Sequence, residues 1–567
     1  MPERILLSDL LRNTRWLLRN RWVMLRPRRM DYVLLRLSGG LVDRKPEPPR
    51  RRFPLSLLPW PAPPPSVEAL DEALERVAAD PRVKGVVLIL TGLSAGPAVL
   101  TGLREAIGRF RRSGKRAVAY VHDLSMWSYY LAAACDEIVA PEAASFLAAG
   151  FWSETLFLKD ALALAGLQAD LESFGEFKAS PDTFRRSEMS KPHRQMLESI
   201  LGSFYDHVVL AVAEGRHLPA GRVRELFDSV PLSAEQSREA GLLDVVCYED
   251  ELPAHLGTAE APAVLVASHE AGRRLVRARR WHSRRAVGVI GLEGAIVPGP
   301  SRQPPMPLPI PLPVPGAQAG ADTLVQQLRA AARDKRLAAV VLFVDSPGGS
   351  AFASDLIWRE VDLLRRVKPV VVYMSDVAAS GGYYVSAPAS AIVAQPTTLT
   401  GSIGIWGGKI VTQGLYDKLH VRREVVSRGE AAGLYSDAAP FDDEERARVR
   451  AEIGAGYARF KSRVVQGRGL SDEEVEAVAG GRVWTGEQAL AHGLVDQLGD
   501  FRAAADRARQ LARLDTARYV PLVPVSTPRR YQVAQPAGGA AAWLAGLQAM
   551  FADHILAMAP WEIKIHG

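Results

Sequence analysis

The sequence predicts an α/β fold made of two tandem copies of one domain, and two observations carry that prediction. Tyr129 and Tyr130 recur 254 positions later as Tyr383 and Tyr384. At the same offset "YVLLRLSGG" lies over "AVGVIGLEG", "AADPRVKGVVL" over "ARDKRLAAVVL", and "EIVAP" over "AIVAQ". A single ungapped register from Val33 to about Ser180 marks an internal repeat rather than a chance likeness. Within each copy, β-branched runs (Val86 to Leu90, Val340 to Val344, Val370 to Tyr373) alternate with helix-period stretches such as Leu70, Ala73, Leu74 and Val77. That alternation is the signature of βαβ units with buried parallel strands. The expected organisation is a basic amphipathic segment over 1–32, a first repeat over 33–283, a second over 284–530 and an apolar tail over 531–567.

Composition narrows the class. The chain has 567 residues, 48% apolar and 23% charged, which is globular and excludes wholesale disorder, a collagen-like repeat or a polytopic membrane bundle. Two cysteines, Cys135 and Cys247, exclude a disulfide framework and a thiolate-rich metal site. Much of the net charge of +7 comes from arginine runs in the first 52 residues. No nucleic-acid recognition motif accompanies them, so an anionic membrane surface is the expected partner of this end and nucleic acid is not. Leu7, Leu10, Leu11, Thr14, Leu17 and Leu18 follow helical spacing with Arg12, Arg15 and Arg19 on the other side, which predicts an interfacial helix. This stretch reads as neither a secretory signal nor a bilayer span. Each repeat then carries a proline-rich excursion, nine prolines over 46–65 and nine over 298–315, expected as extended surface loops or as a lip that guides substrate. Ala540 to Met558, with Trp543, Leu547, Phe551 and Ile555, reads as a weak membrane segment or a helix packing on a partner subunit.

Two glycine-rich elements stand out in the second repeat. In "FVDSPGGSA" a buried strand ends at Asp345, and Gly348 and Gly349 let backbone N–H groups approach a ligand, as an oxyanion hole requires. In "VVVYMSDVAASGGYYVSAPA" a strand runs into Ser380, followed at once by Gly381, Gly382 and an apolar helix. A serine there is either a nucleophile at the positive end of the helix or only its cap. Comparing the repeats separates these. At the 254 offset Ser380 falls on Met126 and the "SPGG" turn on "GLSA", so the first copy lacks the serine, yet Lys178 of "GEFKASP" has Ala432 as its counterpart. Only 12 of the 70 basic side chains are lysines. A buried lysine can lose its proton near neutral pH where an arginine cannot, so Lys178 is a candidate base, the alternative being a solvated cation near Arg185 and Arg186.

Taken together, "DSPGGSA", "AASGGYYVSAPA" and "TLTGSIGI", with "GEFKAS" upstream and "GRVWTGEQALAHGLVDQLG" downstream, resemble the signal peptide peptidase A family in its long, two-repeat form. The resemblance implies tandem Clp protease/crotonase-like domains and a serine endopeptidase in which Ser380 is the nucleophile, Lys178 the general base and Ser402 a hydrogen-bond partner of the lysine. With Gly348, Gly349 and Gly381 as the oxyanion hole, the expected activity is hydrolysis of cleaved signal peptides or other unfolded apolar peptides, without metal or cofactor. It also implies a ring of subunits around a bowl, expected as a homo-tetramer, held peripherally on a bacterial inner membrane. The transmembrane anchor common in long-form relatives is not expected here. The competing readings are a crotonase-type acyl-CoA enzyme, which would not need Ser380 with Lys178, and a non-catalytic scaffold. A Ser-His-Asp hydrolase lacks its G-x-S-x-G elbow, since Ala378 and Thr400 hold the first position, and "GSIGIWGGKI" fails as a phosphate loop at Ile403 and Ile410.

Overall fold

The computed structural model describes residues 7–25, 28–46, 64–302, 317–515, 517–526, 555–558 and 565–566. Most of both proline-rich stretches, and the tail from Trp543 to Phe551, lie outside the described residues. Each repeat is organised on a parallel sheet whose strands are buried because helices cover both faces. In the first, the order is Leu265–Ala267, Tyr32–Gly40, Gly85–Ser94, Arg116–Val121, Glu137–Ala140, Val245–Val246. The second repeats it with Leu522–Pro524, Ala286–Glu293, Leu337–Ser346, Val370–Ala379, Ala391–Ala394 and Gln497–Leu498. Helices Val67–Ala78 and Pro97–Arg111 recur as Ala321–Arg333 and Ala351–Arg365, in the register read from the sequence.

The repeats then diverge in a way that matters for the site. Val370–Ala379 is ten residues long where its counterpart Arg116–Val121 has six, and the extra length pairs with Leu399–Gly401. A third sheet joins the copies in the order Gln318–Gly320, Ala295–Val297, Gly348–Ser350, Ile555–Met558, Ile405–Val411, Gln168–Phe174. Its last pair runs antiparallel from Ile405↔Phe174 to Val411↔Gln168, so a strand of the first repeat is hydrogen-bonded along its length to one of the second. Lys191–Arg216 is long and apolar enough to cross a membrane. Here one face of it is core: Met196, Ile200 and Phe204 pack with Ala179, Leu399 and Val483, again across the repeats.

The seam between the copies is acidic and dry. Asp376 of the second repeat accepts the N–H groups of Ala98 and Val99 at 2.8 and 3.3 Å, and so caps the helix Pro97–Arg111 of the first. Asp43 accepts from the hydroxyls of Tyr373 (2.9 Å) and Ser375 (2.8 Å). Burial, with Asp376 and Asp500 nearby, pushes Asp43 up to about 7. Burial likewise pushes Glu105 up to about 7 and raises the neighbouring carboxyls Asp345 and Asp376.

The N-terminal helix Leu7–Leu25 forms as expected, but its polar face is the docked one. Asn13 exchanges two hydrogen bonds with the backbone of Arg280 (3.1 and 3.2 Å), and Asn20 two with that of Arg277 (2.8 and 2.9 Å). Arg19 donates to the Leu275 and Arg273 carbonyls, and Arg12 contacts Asp9 and His282. Leu10, Leu11, Leu17, Leu18, Met24 and Leu25 face outward. Of Arg12, Arg15 and Arg19, placed by the spacing on the side opposite the leucines, Arg12 and Arg19 hold the helix to the end of the first repeat. In the tail, Ile555–Met558 is a β-strand, where the spacing had suggested part of a helix.

A carboxyl whose folded pKa is raised contributes stability that is present at acid pH and lost as pH climbs through that value. For Asp43 the loss runs from about pH 4 to beyond 7. Asp43→Asn keeps an acceptor for Tyr373 and Ser375 and cannot ionise. It is expected to match wild type near pH 4 and to exceed it at pH 8 by on the order of a few kcal/mol in urea titrations.

Candidate active site

The buried strand Val370–Ala379 ends at Ser380, and the helix Gly381–Ser386 starts immediately after it. The turn is sharp enough to put Ser380 at φ 55°, ψ −111°, a left-handed conformation that costs a non-glycine residue roughly 1 kcal/mol or more. Two backbone bonds hold it there, Ser380 N–H to the Gly401 carbonyl and Tyr384 N–H to the Ser380 carbonyl, both 2.8 Å. The Ser380 hydroxyl makes no capping bond to the helix. It points instead at Lys178.

Lys178 Nζ lies 2.8 Å from Ser380 Oγ, 3.0 Å from Ser402 Oγ and 3.3 Å from the Ser402 carbonyl. All three residues are almost wholly buried. Burial alone holds the lysine well below its usual range, which makes its proton easier to lose. A neutral amine has one lone pair, and the nearest proton it can take belongs to the Ser380 hydroxyl. The alternative of a solvated cation does not fit this environment. Among the described residues, no histidine is bonded to Ser380 or Ser402.

The lysine enters from the first repeat because the backbones of the two copies touch. Phe177 N–H of the first repeat donates to the Gly480 carbonyl of the second (2.9 Å), and two residues on, within the second repeat, the Arg482 carbonyl accepts from Ser402 N–H (2.7 Å). Gly481, at φ +81°, lies so close that a Cβ there would stand 2.6 Å from Lys178 Cβ. Gly481 opens the "GRVWTG" motif, whose sequence alone does not reveal this contact with Lys178. The structure also explains the contrast between the repeats: Met126, at the place of Ser380, is buried in the apolar core, and Ala432, at the place of Lys178, is exposed.

The "SPGG" turn backs onto the same point. A Cβ on Gly348 would lie 2.6 Å from Gly381 N, so the two backbones are in contact beside Ser380. Gly348 N–H itself donates to Ser346 Oγ at 3.1 Å, and Ser346 Oγ donates to the Gly294 carbonyl at 2.6 Å. Of the three glycines named from the sequence, Gly348 is therefore engaged within the turn, and its backbone packs against that of Gly381.

The chain is similar to known proteases. The model of peptidase family S49 matches twice, at residues 109–261 and 362–515. The chain is 33% identical to Protease 4 of Haemophilus influenzae over 505 residues, 86% of this chain and 80% of that one. It is 32% identical over 475 residues to the chloroplastic serine protease SPPA of Arabidopsis thaliana, covering 82% of this chain and 68% of that protein. Protease 4 of Salmonella typhi is 29% identical over 462 residues, 78% of this chain and 71% of that one.

A lysine with a depressed folded pKa costs stability wherever the unfolded chain would be protonated, and the cost shrinks as pH rises toward the ordinary lysine value. Lys178→Met keeps length and volume without the amine. It is expected to raise Tm at pH 7 by on the order of a few degrees, with a gain that narrows toward pH 10 in thermal scans.

Proposed function

The chain belongs to peptidase family S49 and is a serine protease; from that premise we propose that it works through a Ser380–Lys178 dyad on unfolded apolar peptides at a membrane surface. The observation that carries the dyad is the 2.8 Å approach of a buried lysine, its pKa pushed down by that burial, to a serine held at a strained strand-to-helix turn. In this mechanism Lys178 Nζ takes the Ser380 proton as Oγ attacks the scissile carbonyl, and the amine so protonated returns it to the leaving nitrogen. Water then attacks the ester by the same route, and Lys178 again relays the proton. Ser402 Oγ, 3.0 Å from Nζ, orients the amine and is not itself the base. The Gly349 and Gly381 backbones, at the positive end of the helix, face the developing oxyanion.

The substrate reading rests on access. A dyad this deeply buried admits an extended chain and not a folded surface, which favours cleaved signal peptides and fragments of membrane proteins. The outward leucine face of Leu7–Leu25 supports peripheral membrane attachment, on a bacterial inner membrane in this reading, with Arg15 and Arg21 left exposed for anionic headgroups. Phe352, Leu356 and Leu363, exposed along the helix that follows the glycine turn, offer an apolar stripe for assembly of a homo-tetrameric ring. The crotonase alternative has no use for Lys178 beside Ser380.

Ser380→Ala is expected to lower kcat/KM for an unfolded peptide by about 10⁴ or more with Tm unchanged. Lys178→Arg should be as inactive as Lys178→Ala, because a guanidinium stays protonated at working pH. Ser402→Ala should be milder and should shift the rising limb of the pH–rate profile. A serine-reactive fluorophosphonate located on Ser380 by mass spectrometry checks the nucleophile, and full activity in Lys178→Arg would move the base elsewhere. Changing Leu10, Leu11, Leu17 and Leu18 to Ser together should release the protein from anionic vesicles in flotation assays, while active-site labelling persists.

A further inference from the structure

The helix Leu7–Leu25 and the end of the first repeat meet at a clamp made by Asn20. Its Nδ2 donates to the Arg277 carbonyl at 2.8 Å, and its Oδ1 accepts from Arg277 N–H at 2.9 Å. Beside this clamp the two segments border an open cavity of about 750 Å³. Leu17, Met24 and Leu25 give it an apolar wall; Arg21, Arg277 and Arg279 give it a basic one. The helical members share one side because positions 17, 21, 24 and 25 stand three or four residues apart around the turn. Leu17, Met24 and Leu25 are also exposed, so the cavity opens where the docked face of the helix gives way to its outward leucine face. No acidic side chain lines it. Among the described residues none of the three arginines is paired with a carboxylate, and the Arg277 guanidinium donates only a long bond of 3.4 Å, to the Gly272 carbonyl.

We infer that this cavity holds the phosphate headgroup of one anionic phospholipid, with the upper part of its acyl chains laid along Leu17, Met24 and Leu25. The inference deepens the membrane reading above and rests on it for the presence of a bilayer. Two characters are required of the ligand at once. A plain hydrocarbon would leave three like charges facing one another without an anion, and free phosphate would leave the apolar wall in water. A phospholipid answers both, since guanidinium forks match phosphate oxygens two at a time. The volume falls within the ~300 to 1,000 Å³ of small-molecule sites. A headgroup that carries its own ammonium would bring a fourth cation to the three arginines, so anionic lipids are preferred to zwitterionic ones. The consequence is mechanical. A phosphate shared by Arg21 of the helix and by Arg277 and Arg279 of the first repeat reinforces the Asn20 clamp, and so fixes how the protease body sits on the bilayer that its helix touches.

The test uses the full-length protein and the double variant Arg277→Gln with Arg279→Gln, which spares the clamp because Asn20 binds only the Arg277 backbone. Calorimetric titration with dihexanoyl phosphatidylglycerol, kept below its micelle concentration, should show one lipid bound per chain. The double variant should bind it about tenfold more weakly with Tm unchanged, and raised salt should weaken wild type in the same direction. Dihexanoyl phosphatidylcholine and inorganic phosphate should each bind wild type more weakly than the anionic lipid does. Equal affinity of wild type and double variant for the anionic lipid, or equal affinity of wild type for the two lipids, would overturn the inference. Inorganic phosphate binding as tightly as the lipid would overturn it too, leaving a plain anion site. Vesicle flotation separates this from the membrane reading. Specific binding of the soluble lipid without recruitment to phosphatidylglycerol vesicles would sink peripheral attachment and keep the cavity. Recruitment of both proteins alike, with no soluble lipid bound by either, would keep attachment through the leucine face and sink the cavity.

Discussion

Everything about the site follows from hiding one amine from water. Lys178 is buried with hydroxyls and a carbonyl as its polar neighbours, Ser380 Oγ, Ser402 Oγ and the Ser402 carbonyl. A charged ammonium could not be kept there cheaply, since burial penalises the charged form with no anion to offset it. The neutral amine can be kept, and it is the form that accepts a proton. Each supporting feature serves that exclusion of water. Gly481 lets the backbone of the second repeat close over the lysine, and a Cβ on Gly404 would stand 3.1 Å from Lys178 Cδ, so no side chain could be added there without pushing the lysine aside.

Such a site needs two walls, and the duplicated chain supplies one from each copy. This explains why the repeats could lose opposite halves of the chemistry. Met126 fills with apolar volume the place that Ser380 holds in the second copy. Ser128 stands where Gly382 would be, and in the second copy a Cβ at Gly382 would meet the Ser346 carbonyl at 2.7 Å, so close packing of turn on helix is a requirement of the working site. Beside the apolar packing of Met196, Ile200 and Phe204 on Leu399 and Val483, polar contacts help keep the walls in register. Asp376 caps a helix of the other copy, and Arg446 binds Asp170 and Glu172 on the strand that leads to Lys178. Hydrogen-bonded charges fix one relative placement where an apolar seam would allow sliding, and the placement sets the Lys178–Ser380 distance.

Much of this was legible in the sequence because duplication makes a sequence its own comparison. The strand and helix order, the turn at Ser380 and the singular position of Lys178 all came from reading one copy against the other. What escaped were contacts that no periodicity encodes. Gln168–Phe174 reaches the opposite repeat, and a four-residue strand near position 556 pairs with glycines some 200 residues earlier; a short apolar run carries no sign of which edge it will find. The N-terminal helix was read correctly as amphipathic and its docked side was not, because Asn13 and Asn20 bind backbone, which leaves no mark in the partner's sequence.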